Sequence, residues 1–98
     1  MRRAARTDAN HAAIVQALRA AGCSVLDLSG VGGGCPDLAV GVGGQTVLLE
    51  VKDGSKPPSA RKLTPDQQEW HAAWRGGPLA VVCDVDSALR VAATARGG

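Results

Sequence analysis

Two neighbouring apolar runs give the clearest pattern in this chain. The first starts at Asp37 and ends at Val42, and the second covers residues 46–52. Gly43-Gly44 lies between them. Because both glycines accept a positive φ, this dipeptide is a strong signal for a two-residue hairpin turn. The pattern therefore predicts a β-hairpin built from these two runs.

A helix and a strand are predicted before the hairpin. Apolar residues recur at helical spacing from Ile14 to Ala21, so a helix should run from a cap at Thr7 or Asp8 to about Ala21. Residues 23–28 have the length and apolar character of a strand. We interpret them as the first strand of the sheet.

A second helix is predicted after the hairpin from a well-formed start signal. Thr64 is suited to cap this helix and Pro65 to occupy its first position. Gln67 stands where it can close a capping box with Thr64. The helix should end at about Trp74, just before two glycines.

The last part of the chain predicts one more strand and one more helix. Residues 79–83 form a short apolar run, which we interpret as a buried strand. Asp84 or Asp86 can cap a final helix that ends at about Ala93.

These elements describe one α/β domain that spans residues 1–98. Their order is α-β-β-β-α-β, followed by a short C-terminal helix, and the central sheet should be mixed. Residues 1–7 are predicted to form a basic arm and residues 94–98 a flexible tail.

Composition limits the protein class. The chain has 98 residues, no Phe or Tyr and two Trp, so its core must be modest and a homodimer would add stability.

The three cysteines, Cys23, Cys35 and Cys83, form no C-x-x-C pair, which argues against a zinc site. No apolar run suits a signal peptide or a membrane span, so we expect a cytoplasmic protein with reduced thiols.

The candidates for chemistry lie at the ends of the two hairpin strands. Strand alternation places Glu50 and Lys52 on one face. Taken alone, Asp37 is also typical of a turn after Pro36, and Glu50 with Lys52 is also typical of a solvated strand face. However, the second strand is apolar on both faces, and such a strand tolerates a charged pair only where it is partnered or functional. Two acids and a lysine here are suited to hold a divalent metal against a phosphate.

The remaining candidates are basic, aromatic or histidine residues. His11 and His71 lack the spacing of a metal site or triad and are interpreted as structural or surface residues. Trp70 and Trp74 are interpreted as core or dimer contacts. The glycine loop at residues 30–34 leads into a strand, so no nucleotide cofactor is expected. Two basic clusters are candidate DNA-phosphate contacts, although the first is equally typical of a solubilising tail: Arg2, Arg3 and Arg6, then Lys56, Arg61 and Lys62.

Pro36-Asp37 followed by Glu50-Val51-Lys52 resembles the motif of the PD-(D/E)XK nuclease superfamily, in particular its small virus-type (VRR-NUC) group, related to the Holliday-junction resolvase-like nucleases. The run from Gly34 to Leu38 is similar to that group's glycine-x-Pro-Asp-apolar signature. Residues 63–70 resemble its helix after the lysine, where a glutamine faces the site. The resemblance covers about residues 8–90 and implies a restriction-endonuclease-like core.

The resemblance also implies roles for individual residues. Asp37 and Glu50, with the Val51 carbonyl, would bind Mg²⁺ or Mn²⁺. Lys52 would orient the attacking water or stabilise charge on the phosphate, and its role as a general base stays open. Gln67 would position Lys52 or the water.

One feature of the relatives is missing from this chain. Many of them carry a glutamate in the first helix as an extra ligand or ligand orienter, and here no Glu precedes Glu50. Asp8, Asn10 and Gln16 are the available substitutes. This favours one tightly held ion over two.

The expected function is that of a metal-dependent DNA endonuclease in a bacterial or phage-infected cell. It would cut junctions, flaps or nicked DNA and leave 5′-phosphate ends, and a two-fold dimer would suit symmetric cutting. The alternative is a DNA-binding or scaffolding subunit with the nuclease fold, which is inactive alone or active only in a larger complex.

Overall fold

The computed structural model describes residues 8–97, in which the helices and strands follow the order α-β-β-β-α-β-α. The helices are α1 (His11–Ala20), α2 (Pro65–Ala73) and α3 (Val85–Gly97), and a 3₁₀ turn covers Pro58–Arg61. The strands are β1 (Ser24–Asp27), β2 (Leu38–Val42), β3 (Gln45–Val51) and β4 (Leu79–Val82). The predicted α/β class is therefore confirmed.

The strands form one sheet in the order β1-β2-β3-β4. β2 pairs antiparallel with both β1 and β3, while β4 pairs parallel with β3. The sheet is mixed, as predicted. The β2–β3 turn is formed by Gly43 and Gly44 at φ 60° and 79°, and Val42 lies opposite Gln45. The double positive φ is the backbone that the glycine pair predicted.

The hydrophobic core lies between one face of the sheet and helices α1 and α3. Alternate residues of β2 and β3 point into it, which is the period-two burial expected of strands with one apolar face. With no Phe or Tyr available, aliphatic side chains and small helix residues fill it: Ile14, Leu18, Leu38, Val40, Val47, Leu49, Val51, Ala88 and Ala92.

Helix α1 starts later than predicted. It begins at His11 after Asn10, whose side chain makes no capping bond and instead donates from Nδ2 to carbonyl groups of distant segments. Thr7, one of the two predicted caps, lies outside the described residues. The predicted last residue of the helix, Ala21, is exposed and lies just beyond the helix end.

Helix α2 starts as the sequence predicts. The Thr64 hydroxyl accepts a hydrogen bond from the Gln67 backbone N–H at 3.3 Å, and Gln67 Oε1 accepts one from the Thr64 N–H at 2.9 Å. This reciprocal pair is a capping box.

Helix α3 is longer than predicted, so residues 94–97 are its last turn rather than a flexible tail. The Asp84 carboxylate accepts the Ser87 N–H at 2.7 Å, which makes Asp84 the cap of the two candidates. At the other end, Arg96 Nη2 donates to the Ala21 carbonyl at 2.9 Å, and Gln45 Nε2 donates to the Ala95 carbonyl at 3.0 Å. Bonds from distant segments therefore extend the helix.

Two expectations about burial are wrong. β4 is an edge strand, so Val82 is buried but Val81 is 48% exposed. Trp70 and Trp74 stack on each other with ring centroids 5.1 Å apart, outside the hydrophobic core, so a core contact is wrong for them, while a dimer contact stays a prediction. α2 carries no buried residue, and it approaches the sheet residue Glu50 through polar side chains, Gln67 and His71.

Within residues 8–97, no helix combines the length and apolar character that crossing a bilayer requires.

The hairpin glycines supply a matched test of the fold. Both have positive φ, but a Cβ at Gly43 would lie 2.9 Å from Arg96 Cα, whereas one at Gly44 would meet no atom within 4 Å. We expect Gly44→Ala to lower the free energy of unfolding by about 1–2 kcal/mol through backbone strain alone. Gly43→Ala should cost more because it also pushes the end of α3 away. Urea unfolding of both variants measures this difference, and equal losses would contradict the α3 contact.

Candidate active site

The hairpin register places Asp37 opposite Glu50. Leu38 pairs with Leu49, so the preceding residue, Asp37, lies across from the following one, Glu50. Both acids lie on the sheet face away from the core. They line a cleft of about 380 Å³ together with Asp8, Val51, Lys52, Lys56 and Gln67. The structure thus brings the predicted acid, acid and lysine residues into one cleft.

Asp37 is bound to the neighbouring strand. Its Oδ2 accepts the Val51 N–H at 2.8 Å, while its carbonyl accepts the Leu28 N–H at 2.7 Å. The carboxylate therefore bonds across the hairpin rather than within a local turn. This bond fixes Asp37 beside the end of β3.

Glu50 is an almost completely buried carboxyl group, with a relative exposure of 1%. Burial and then the neighbouring Asp37 raise the pKa of Glu50 to about 8, with Asp8 adding to the effect and the Lys52 charge opposing it. Oε2 accepts a hydrogen bond from Gln67 Nε2 at 3.2 Å. Oε1 is buried without a hydrogen-bond partner. The alternative of a solvated strand face is therefore wrong for Glu50.

Gln67 connects the lysine to the acid. Its Oε1 accepts a hydrogen bond from Lys52 Nζ at 2.8 Å, and its Nε2 donates to Glu50. The same Oε1 completes the capping box with Thr64. Gln67 thus fulfils both of its possible roles, and the start of α2 is attached to the end of β3 through it.

The glycine loop packs against the same helix start. Gly34 has φ 86°, and a Cβ there would collide with the Asp66 carbonyl. The backbone of this loop therefore approaches the start of α2 closely at Gly34. The loop carries the chain directly into Asp37.

The helix-1 candidates have different positions. Asn10 Nδ2 donates to the Lys52 carbonyl at 3.2 Å and to the Cys83 carbonyl at 2.7 Å, so it supports the backbone beneath the lysine. Asp8 lines the cleft, with Oδ1 4.0 Å from Lys56 Nζ. Gln16 is exposed on α1 and does not line the cleft, so its proposed support is wrong.

The basic candidates are only partly at the cleft. Lys56 lines it, whereas Arg61 is half-buried on the 3₁₀ turn and Lys62 is exposed beside that turn. The prediction for Arg2, Arg3 and Arg6 lies outside the described residues.

His71, interpreted from the sequence as a structural or surface residue, lies close to Glu50 but does not line the cleft. Its Nε2 lies 3.5 Å from Glu50 Oε1. Burial, and then the charge of Lys52, lower the pKa of His71. The available signal was its position four residues after Gln67, on the same helix face. The partner acid comes from a distant strand, so no local spacing reveals the pair.

The donor set fits a hard divalent cation. Two carboxylates and the Val51 carbonyl are oxygen ligands of the kind that Mg²⁺ and Mn²⁺ prefer. Glu50 Oε1 accepts no hydrogen bond, although His71 Nε2 lies 3.5 Å away. The pKa of the Cys35 thiol is raised by burial and then by Glu50 and Asp37, as expected beside concentrated negative charge. Among residues 8–97 no group of three or more His, Cys, Asp or Glu side chains could hold a metal ion, so the set depends on the main-chain carbonyl.

The chain was compared with protein-family models, with curated proteins and with solved structures, and none of these comparisons gave a match. The resemblance to PD-(D/E)XK nucleases therefore stays a prediction. The function proposed below is based on the residues of the cleft and their geometry.

The buried Glu50 predicts an unusual pH dependence of stability in EDTA. Its pKa is about 8 in the folded state, against an ordinary value of 4.5, so the folded state holds the proton more tightly than the unfolded chain does. The free energy of unfolding therefore has its full contribution from Glu50 below pH 4.5. This contribution should be lost as the pH rises towards 8. Glu50→Gln should remove that loss and make the protein more stable than wild type at pH 8.

Urea unfolding of wild type and variant from pH 5 to 9 measures the effect. Glu69→Gln, at an exposed position on α2, is the matched control and should keep the wild-type profile. Parallel pH profiles for wild type and Glu50→Gln would contradict the raised pKa.

Proposed function

We propose that this chain is a metal-dependent deoxyribonuclease of the PD-(D/E)XK type with a restriction-endonuclease-like fold. One observation carries the proposal: Glu50, a buried glutamate whose carboxyl group is not fully hydrogen-bonded, lies opposite Asp37, in a cleft that Lys52 also lines. A buried carboxyl group without full hydrogen bonding costs stability, so a functional role explains its presence better than a structural one.

Each residue of the cleft would have its own role in phosphodiester hydrolysis. Asp37, Glu50 and the Val51 carbonyl would hold Mg²⁺ or Mn²⁺, which when bound polarises the scissile phosphate and makes a water more acidic. Lys52 is placed to donate from Nζ to a phosphate oxygen as negative charge builds there. Water attacks the phosphorus and the P–O3′ bond breaks, which leaves a 5′-phosphate and a 3′-hydroxyl.

Gln67 orients the two groups on either side of it. It accepts from Lys52 Nζ and donates to Glu50 Oε2, so the amine and the acid keep a fixed relative position. Catalysis by positioned groups is sensitive to displacements of about 1 Å. Docking of α2 is therefore part of the active geometry.

Positive charge between β3 and α2 supports DNA as the substrate. Lys56 lines the cleft, and Arg61 and Lys62 follow on the connecting segment. Such residues contact phosphates and carry no sequence information, which favours recognition of junction, flap or nicked structures. A homodimer would present two such clefts for paired cuts.

The first test is cleavage of labelled single-stranded, duplex, flap and four-way-junction DNA with Mg²⁺, Mn²⁺ or EDTA. Wild type should cut at least one substrate only with metal. Asp37→Asn and Lys52→Ala should each lower the rate by at least about 100-fold, since each removes a group that acts on the reacting phosphate. Circular dichroism should show unchanged folding.

The outcomes separate the two candidate functions. Binding of DNA without cutting by wild type would support the scaffolding or complex-dependent subunit instead. Cutting by Asp37→Asn at the wild-type rate would show that the site is assigned wrongly.

Salt dependence tests the DNA-contacting residues. Lys56→Ala, and separately Arg61→Ala combined with Lys62→Ala, should weaken binding of every substrate and reduce the slope of log K against log salt by about one for each phosphate interaction removed. Arg90→Ala is the control, because Arg90 is exposed on α3 across the sheet from the cleft. Fluorescence anisotropy measures the binding at each salt concentration. An unchanged slope for either set would show that those residues do not contact the DNA phosphates.

A further inference from the structure

Two buried polar atoms lie near each other beside the cleft, and neither makes a hydrogen bond to any other group. They are Glu50 Oε1 and His71 Nε2, and they lie 3.5 Å apart. The side chains of Glu50 and His71 are 2% and 14% exposed. Water therefore has little access to either atom, and each needs the other to satisfy its polarity.

The chemistry of the pair fixes the direction of the bond. An ionised carboxylate only accepts hydrogen bonds, while a neutral imidazole donates from one nitrogen and accepts at the other. Glu50 must be ionised to hold a cation, and in that state the nitrogen that faces it must carry the hydrogen. We propose that His71 is a positioning residue that donates from Nε2 to Glu50 Oε1.

Together with Gln67, His71 would hold both oxygens of the acid from one helix. Gln67 Nε2 donates to Oε2, and His71, four residues later on the same face, donates to Oε1. The plane of the Glu50 carboxylate is then fixed, with lone pairs left for a cation. This role rests on the proposed function, because it is the cation that requires a fixed plane.

A packing role explains the position of His71 less well. α2 contributes no buried residue and is not part of the hydrophobic core, so the imidazole does not fill that core. Its only aromatic neighbour is Trp70, edge-on at 6.4 Å among the described residues. The group that His71 faces is the acid of the site.

The chain offers a matched control in a second buried histidine. His11 Nε2 lies 3.0 Å from Asp27 Oδ2, and Asp27 is also held by Ser29. Neither His11 nor Asp27 lines the cleft. The same substitutions at His11 should therefore change stability but leave metal binding unchanged.

The first experiment measures Mn²⁺ affinity of the full chain by calorimetry. His71→Leu, which keeps bulk but has no donor, should weaken binding by about 10–100-fold. His71→Gln, whose amide can donate to the same oxygen, should restore most of it. His11→Leu should bind like wild type.

The second experiment needs neither metal nor DNA. Long-range ¹H–¹⁵N spectra of the imidazole rings, recorded in EDTA at pH 9 so that Glu50 is ionised, should show His71 in the Nε2–H tautomer. This readout holds even if His71→Leu fails to fold. The Nδ1–H tautomer would overturn the proposal, as would wild-type Mn²⁺ affinity in His71→Leu.

These outcomes separate the role of His71 from the nuclease itself. Metal-dependent cutting by wild type together with unaltered affinity in His71→Leu would overturn only the role of His71. Mn²⁺ binding that depends on His71 without any DNA cutting would support the positioning role and contradict the nuclease. A wild-type protein that binds no Mn²⁺ would overturn both.

Discussion

The register of the β2–β3 hairpin is the constraint on which the rest of the structure depends. The Gly43-Gly44 turn sets Leu38 against Leu49, and this places the apolar set towards α1 and α3 and the two acids towards the cleft. A slip of one residue would exchange the faces of a strand, so core and cleft would be lost together. A local turn thus determines both the stability of the domain and the geometry of its site.

Glu50 shows how the fold accommodates an unfavourable group. The residue lies on the most buried strand, between Leu49 and Val51, which anchor that strand to the core on the opposite face. Their burial offsets the cost of a carboxyl group with one unpartnered oxygen. Sites that keep such a group are common where chemistry requires an altered pKa.

Features set by nearby residues were predictable, and features set by distant contacts were not. The hairpin, the capping box and the shared cleft of Asp37, Glu50 and Lys52 follow from turn chemistry and strand alternation. The end of α3 and the exposure of β4 do not, because they depend on Arg96 reaching Ala21 and on β4 being an edge strand. Likewise, the bonds from Asn10 to the Lys52 carbonyl and the approach of His71 to Glu50 join segments whose proximity no local pattern encodes.

Helix α2 carries half of the site and none of the core. Its attachment consists of Gln67, His71 and the contact with Gly34, while the sheet with α1 and α3 encloses the buried apolar residues. Segments held by few apolar contacts open at lower free energy than the global unfolding reaction. The helix can therefore detach in a sub-global opening that leaves the sheet intact. In amide hydrogen exchange, α2 would form a separate, weakly protected unit, so assembly of the site is thermodynamically distinct from folding of the domain.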